Sequence, residues 1–250
     1  MNREYVQQYA KLETTHWWFV VRQKIILQFL KKYTNQKPLR ILNIGAAGGA
    51  STQWLAALGQ VVSIETDPFF IDHLKEQKID VVDSPVELMP FDKNSFDLVC
   101  AFDVIEHVKD DSDAMKEMTR VCKPGGMICI TVPAFKMLWS DHDVVNAHYR
   151  RYTKASLQFL GVAFPAIKKM EISYFNSLLF LPILVARKVS NLLSKDKKNI
   201  QSDFTRYKIS GPFNKLCKMI FATEIPLLRF IHFPFGVSLI AAWEKISTDK

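Results

Sequence analysis

Cysteine is scarce in this chain. Four residues (Cys100, Cys122, Cys129 and Cys217) stand among 250, and no two share CxxC spacing. That argues against a disulfide framework and a cysteine-based zinc site, and for small buried apolar side chains. A long apolar run is also missing. The longest, Leu178 to Ala186, is broken by Pro182 and falls well short of the ~20 residues a spanning helix needs. The N-terminal MNREYVQQYAKLE is polar and has no signal-peptide core. These absences point to a cytoplasmic protein that touches a membrane peripherally at most. There is no internal repeat and no low-complexity tract.

What is present is a large apolar fraction, 48%, in a chain long enough for one substantial α/β domain with additions. The formal charge of +8 suits anionic partners such as a membrane surface, although charge alone says little about function.

The organising stretch is ILNIGAAGGA, Ile41 to Ala50. An apolar strand runs into Gly and Ala and then into a helix-compatible segment, which reads as strand, tight turn and helix N-terminus. Small residues there allow a ligand to approach the backbone. A second apolar run, VVSI, ends in Glu65, where a nucleotide-binding sheet commonly holds ribose hydroxyls. Further strands are expected at Ile79 to Val82, Phe96 to Phe102, Met127 to Val132, Lys169 to Tyr174 and Val237 to Trp243. The intervening helices include Pro68 to Gln77 and one capped by Asp111 or Ser112, stopped by Lys123 to Gly126. Thr153 reads as the cap of another. Alternation at this spacing predicts a Rossmann-like, seven-stranded, mostly parallel sheet with helices on both faces.

Four segments follow: a helical cap over 1–36, a nucleotide-binding core over 37–174, a helical insert over 175–235, and a last core strand over 236–250. The insert reads as a lid over an acceptor pocket, a dimer surface, or an apolar face edged by Lys and Arg for an anionic membrane. His16-Trp17-Trp18-Phe19 puts three large aromatics in a row, too many for one core, so at least one should face a cleft.

Several motifs stand in register. Asn43 to Gly49 (NIGAAGG), Glu65, Glu87 to Val99 (ELMPFDKNSFDLV), Phe102 to Val108 (FDVIEHV) and Lys123 to Gly126 (KPGG) together resemble those of class I S-adenosylmethionine-dependent methyltransferases. The resemblance covers about Ile41 to Pro133. It departs from the family pattern at Asn43, usually an acid, and at Ala47, usually glycine. The flanks HWWFVVR (His16 to Arg22) and HYRRYT (His148 to Thr153) resemble a bacterial branch of these enzymes with an extended C-terminal insert, associated with lipid or surface-glycan modification.

The resemblance implies S-adenosylmethionine as cofactor and S-adenosylhomocysteine as product. Backbone approach is assigned to Gly45, Ala46, Ala47 and Gly49, with Asn43 near the methionyl end. Glu65 would take the ribose hydroxyls, flanked by Thr66 and Asp67. Ser84, Pro85 and Val86 would line the adenine. Phe102, Asp103 and His107 would lie beside the methionyl group, and Arg22 would pair with its carboxylate.

No enzyme nucleophile is needed, because sulfonium activation belongs to the cofactor. A general base is needed only for an acceptor that holds its proton. Histidine suits that task near neutral pH, so His107, His142, His148 and His16 are the candidates. Their spacing does not suggest a zinc site and no metal is expected, although Asp141-His142 and Asp143 leave one conceivable. Acceptor contacts are assigned to Trp17, Trp18, Trp139 and Tyr149, with Arg150, Arg151 and Tyr152 suited to an anionic group.

The expected reaction is methyl transfer to a small, apolar or lipid- or glycan-linked acceptor. An NAD-dependent oxidoreductase is the alternative, since Gly45 and Glu65 also suit a dinucleotide, but GAAGGA lacks GxGxxG spacing. A binding protein without turnover is the other, kept open by Asn43 and Ala47. Nucleic acid is disfavoured, because no RNA-binding motif is appended.

Overall fold

The computed structural model describes residues 3–34, 38–193 and 211–246. Seven strands, β1 (Leu39–Ile44), β2 (Gly59–Glu65), β3 (Val81–Asp83), β4 (Phe96–Phe102), β5 (Cys122–Pro133), β6 (Ile167–Phe175) and β7 (Ser238–Lys245), form one sheet in the order β3-β2-β1-β4-β5-β7-β6. β1 to β5 pair in parallel, and β7 lies antiparallel between β5 and β6. The order reverses between β1 and β4, so a crevice opens at their carboxyl ends.

Central strands are apolar on both faces because both are covered. Leu42, Ile44, Val99, Ala101, Ile128 and Ile130 pack towards Met115 and Met118 of α5 (Asp111–Val121) and Leu157 of α7 (Lys154–Val162). The alternate residues Ile41, Leu98, Cys100 and Cys129 pack towards Ile25, Ile26, Phe29 and Leu30 of α2 (Trp17–Lys31). All four cysteines are buried and unpaired.

The N-terminal helical stretch is two helices, α1 (Arg3–Thr15) and α2, because His16 is extended and caps α2 by accepting from the Trp18 N–H at 3.3 Å. α3 (Ala50–Leu55) is a short helix that ends before Leu58, and α4 (Pro68–Glu76) starts at the cap Asp67. α5 is capped by Asp110, one residue ahead of the expected Asp111. Lys123 to Gly126 does not separate α5 from β5. The strand starts at Cys122, and Lys245 of β7 donates to the Thr119 and Cys122 carbonyls at 2.7 and 2.8 Å, satisfying that end of α5. Thr153 caps α7 as its sequence suggests, in a capping box with Ser156.

Four α-helices lie within 135–152 and the insert among the described residues. α6 (Asp141–Val145) folds between β5 and α7. α8 (Phe180–Leu193), α9 (Gly211–Ala222) and α10 (Glu224–Leu227) follow β6. The basic stretch Lys195 to Lys198 lies outside the described residues.

Candidate active site

A cleft of about 1080 Å³ lies over the crevice. Its floor is the strand ends. Gly45 follows β1 at φ 70°, and a side chain there would stand 2.6 Å from Val104, so glycine is required. Ala47 adopts φ 46° without being glycine, and its N–H donates to Glu65 at 2.9 Å. Gly48 is needed for another reason: a Cβ would meet the Glu13 carboxylate at 2.4 Å and the Ala10 backbone at 2.8 Å, because α1 crosses directly over the turn.

Glu65 also accepts from the Thr66 and Asp67 N–H groups, which orients its carboxylate while leaving acceptor capacity towards the cleft. Thr66, Asp67, Ser84, Pro85 and Val86 line the same end. Glu13 reaches the cleft from α1, where burial raises its pKa to about 8 against a partly opposing hydrogen bond from Ala50.

Arg22, on α2, forms an ion pair with Asp103 at 2.5 Å and donates to Thr131 at 3.0 Å, with its guanidinium 4.7 Å above the Trp18 ring. Its Nε is buried without a partner. Asp103 directly follows β4 at φ 56°, and Asn176 directly follows β6 at φ 58°. Left-handed conformations of non-glycine residues are costly and gather at functional sites. Here three of them, Ala47, Asp103 and Asn176, face one cleft.

The histidines divide. His107, His142 and His148 converge, with ring centroids 4.6 Å apart for His107 and His148 and 5.9 Å for His142 and His148. Partial burial and the His148 ring bring His107 down to about 4. His16 also lines the cleft, but its Nδ1 serves as the α2 cap and burial lowers its pKa to about 4.

Asp143 is fully buried. It accepts from His148 Nδ1 at 2.8 Å and from Arg151 at 2.7 and 3.0 Å. Burial would raise its pKa, but these partners outweigh that and hold the carboxyl well below its ordinary range. Arg151 therefore lines the cleft with its charge already matched.

Several expected site residues lie elsewhere. Asn43 is buried beneath the turn, where its amide donates to Ser51 and Thr52 at 2.9 and 3.0 Å and ties β1 to α3. Ala46 and Gly49 are also outside the cleft lining. Arg150 pairs with Asp111 at 2.8 Å, and the Tyr152 hydroxyl donates to the same carboxylate at 2.6 Å, so both brace α5. Tyr149 is 58% exposed away from the cleft, and Trp139 accepts from Asn191 through its carbonyl. Trp17, Trp18 and Phe19 all reach the cleft.

Some lining residues escaped the sequence reading. Leu179, Pro182, Ile183 and Ala186 come from the start of the insert and α8, and Phe213, Leu216 and Ile220 come from α9. They make one wall apolar. Buried among polar neighbours are Glu106, with neither carboxylate oxygen hydrogen-bonded, and Asn176, whose amide is likewise unpartnered. Glu106 was visible in FDVIEHV as a neighbour of His107, whereas nothing local marks Asn176.

Residues 42–130 match the methyltransferase domain family. A ubiquinone biosynthesis O-methyltransferase of Coxiella burnetii is 25% identical over 130 residues, 49% of this chain and 56% of that protein. A demethylmenaquinone methyltransferase of Staphylococcus epidermidis is 33% identical over 102 residues, 36% of this chain and 42% of the relative. The chain thus spans about half the length of the curated relatives it matches. Among solved structures, an S-adenosylmethionine-dependent methyltransferase from Archaeoglobus fulgidus superposes with a TM-score of 0.59 at 17% identity, covering 95% of this chain and 99% of that one. The sheet order and the structural likeness define a Rossmann-like fold, and within it residues 42–130 match the methyltransferase domain model.

Proposed function

We propose that the protein transfers a methyl group from S-adenosylmethionine to a lipophilic acceptor. The observation that carries this reading is the cleft itself: motif residues form one end and the apolar side chains of α8 and α9 form a wall of the other. The residues fit the cofactor. Glu65 has acceptor capacity for ribose hydroxyls, Gly45 admits close backbone approach, and the buried, unpartnered Arg22 Nε suits the methionyl carboxylate. The cofactor supplies a methyl group on a positively charged sulfur. The chain's own contribution is to hold the acceptor in line and exclude water, which the apolar wall and the α1–α2 cover favour. His142 lines the same cleft and is the histidine placed to receive a proton leaving the acceptor.

One relative is named a ubiquinone biosynthesis O-methyltransferase and another a demethylmenaquinone methyltransferase, which agrees with a lipophilic acceptor. The outer face of α8 supports access from a lipid surface. Leu181, Val185, Val189 and Leu192 are all exposed at helical spacing, on the side opposite the buried Arg187. No helix among the described residues is long and apolar enough to cross a membrane.

Calorimetric titration with S-adenosylhomocysteine, with NAD as control, tests the cofactor. Binding of the first alone, lost in Glu65→Ala, is the expected result. Binding of NAD alone would overturn the reading. Transfer of labelled methyl to a lipid extract and not to its aqueous fraction tests the acceptor class.

A further inference from the structure

The cleft contains a cluster whose purpose methyl transfer alone does not explain. Glu106, His107 and His148 each present one donor atom, and the three atoms lie within 4.8 Å of one another. Glu106 is 0% exposed, yet both of its oxygens lack a hydrogen-bond partner. A buried carboxyl with no hydrogen-bond partner is costly, and a bound cation would satisfy it. Arg22 is the obvious cation, but it is held by Asp103 and Thr131. Arg151 is held by Asp143 and the Ala134 carbonyl.

The histidines are arranged as ligands are. His148 has its Nδ1 fixed by Asp143 at 2.8 Å, which leaves Nε2 as the ring's other donor position. His107 is steadied by a hydrogen bond to the Asn146 backbone. An imidazole oriented through one nitrogen by a carboxylate or carbonyl is the usual support for a metal-binding histidine. Glu106 and His107 lie on the same 3-10 turn (Ile105–His107), and His148 comes from the segment after α6, so the site joins β4 to the 135–152 segment.

We propose that Glu106, His107 and His148 form a binding site for a divalent transition-metal cation such as Zn²⁺ or Mn²⁺. Two imidazoles and a carboxylate suit such ions, and three protein ligands leave coordination positions open. All three residues line the cleft, so a bound cation would take an oxygen of the acceptor as a further ligand and fix that oxygen in place. The existence of the site stands on the geometry alone. Its role towards the acceptor rests on the methyl-transfer reading, and favours an oxygen-bearing acceptor within it.

The test uses the untagged full chain, stripped with chelator and titrated calorimetrically with ZnCl₂. Wild type is expected to bind about one Zn²⁺ per chain, as a metal-binding free energy linked to ordered ligands requires. Glu106→Gln and His148→Ala should each lose that binding while retaining the far-ultraviolet dichroism and S-adenosylhomocysteine affinity of wild type. His107→Asn serves as the third variant, should either of those fail to fold, and is expected to lose the binding likewise. No Zn²⁺ uptake by wild type, or uptake unchanged in folded variants, would overturn the proposal. Loss of S-adenosylhomocysteine binding in wild type itself would count against the methyl-transfer reading and leave the Zn²⁺ result to decide the site.

Discussion

Two residues of the glycine turn show how one position can be strained for the sake of its neighbours. Gly48 is committed to the crossing of α1, so the left-handed residue ahead of it is Ala47, at φ 46°. A left-handed conformation costs an L-residue roughly 1–2 kcal/mol, and glycine costs about 0.4–1 kcal/mol more entropy to order. Ala47→Gly should therefore be neutral or stabilising by up to about 1 kcal/mol in urea denaturation. Ala114, inside α5 and fully buried, should lose about 1 kcal/mol or more on the same change. Glu13 gives a prediction in pH. Its carboxyl titrates near 4.5 when unfolded and at about 8 when folded. A raised acid opposes folding once the unfolded chain can ionise, so its contribution to stability should fall as pH rises from about 4.5 to about 8 and then level off. Glu13→Gln should flatten the dependence of thermal stability on pH across that window. An unchanged slope would show that the carboxylate is accommodated by solvent in the cleft.

At the scale of elements, legibility followed the range of the forces. β4 stands at its expected limits, Phe96 to Phe102, because a strand buried on both faces is a nearly continuous apolar run. The motif residues Gly45, Glu65 and Asp103 reach the cleft because each ends or directly follows β1, β2 or β4. The break between α1 and α2 was not legible, since aromatic residues continue across His16 and only the cap geometry marks the stop. β5 begins five residues early because Lys245, distant in sequence, satisfies the end of α5. The segment 135–152 was least legible. Its order depends on Asp143, which gathers Ser140, His148 and Arg151 around one buried carboxylate, and no periodicity announces that. Asp143→Ala should leave the buried Arg151 charge without its matching carboxylate and destabilise by roughly 3–5 kcal/mol in denaturant titration. Because the folded pKa is depressed, the carboxylate's contribution is present at neutral pH and above the unfolded value of 3.8, and is lost as pH falls below it. Acid titration of wild type and Asp143→Asn should thus diverge most at neutral pH and converge in strong acid.

For the whole molecule, the formal charge of +8 and the exposed stripe of α8 meet in one arrangement. α8 turns Pro182, Ile183 and Ala186 to the cleft and Leu181, Val185, Val189 and Leu192 outwards. An amphipathic helix of this kind, rich in apolar residues on its outer face and carrying exposed Lys188, suits the boundary between headgroups and acyl chains of an anionic bilayer. A lipophilic acceptor could then pass from the bilayer to the cleft without crossing water. The full chain should co-sediment with vesicles containing anionic phospholipid, and binding should weaken as salt screens the basic surface. Each large apolar side chain withdrawn from water contributes about 1.5–3 kcal/mol at most. Replacing Leu181, Val185 and Leu192 together by Glu should therefore lower vesicle affinity by at least about tenfold, equivalent to roughly 1.4 kcal/mol. These side chains stand outside the cleft, so the triple variant should keep S-adenosylhomocysteine binding. Equal vesicle binding by variant and wild type would mean that the outer face of α8 serves another contact. Binding that persists on neutral vesicles at high salt but disappears in the variant would assign the membrane contact to apolar burial, with charge only steering the approach.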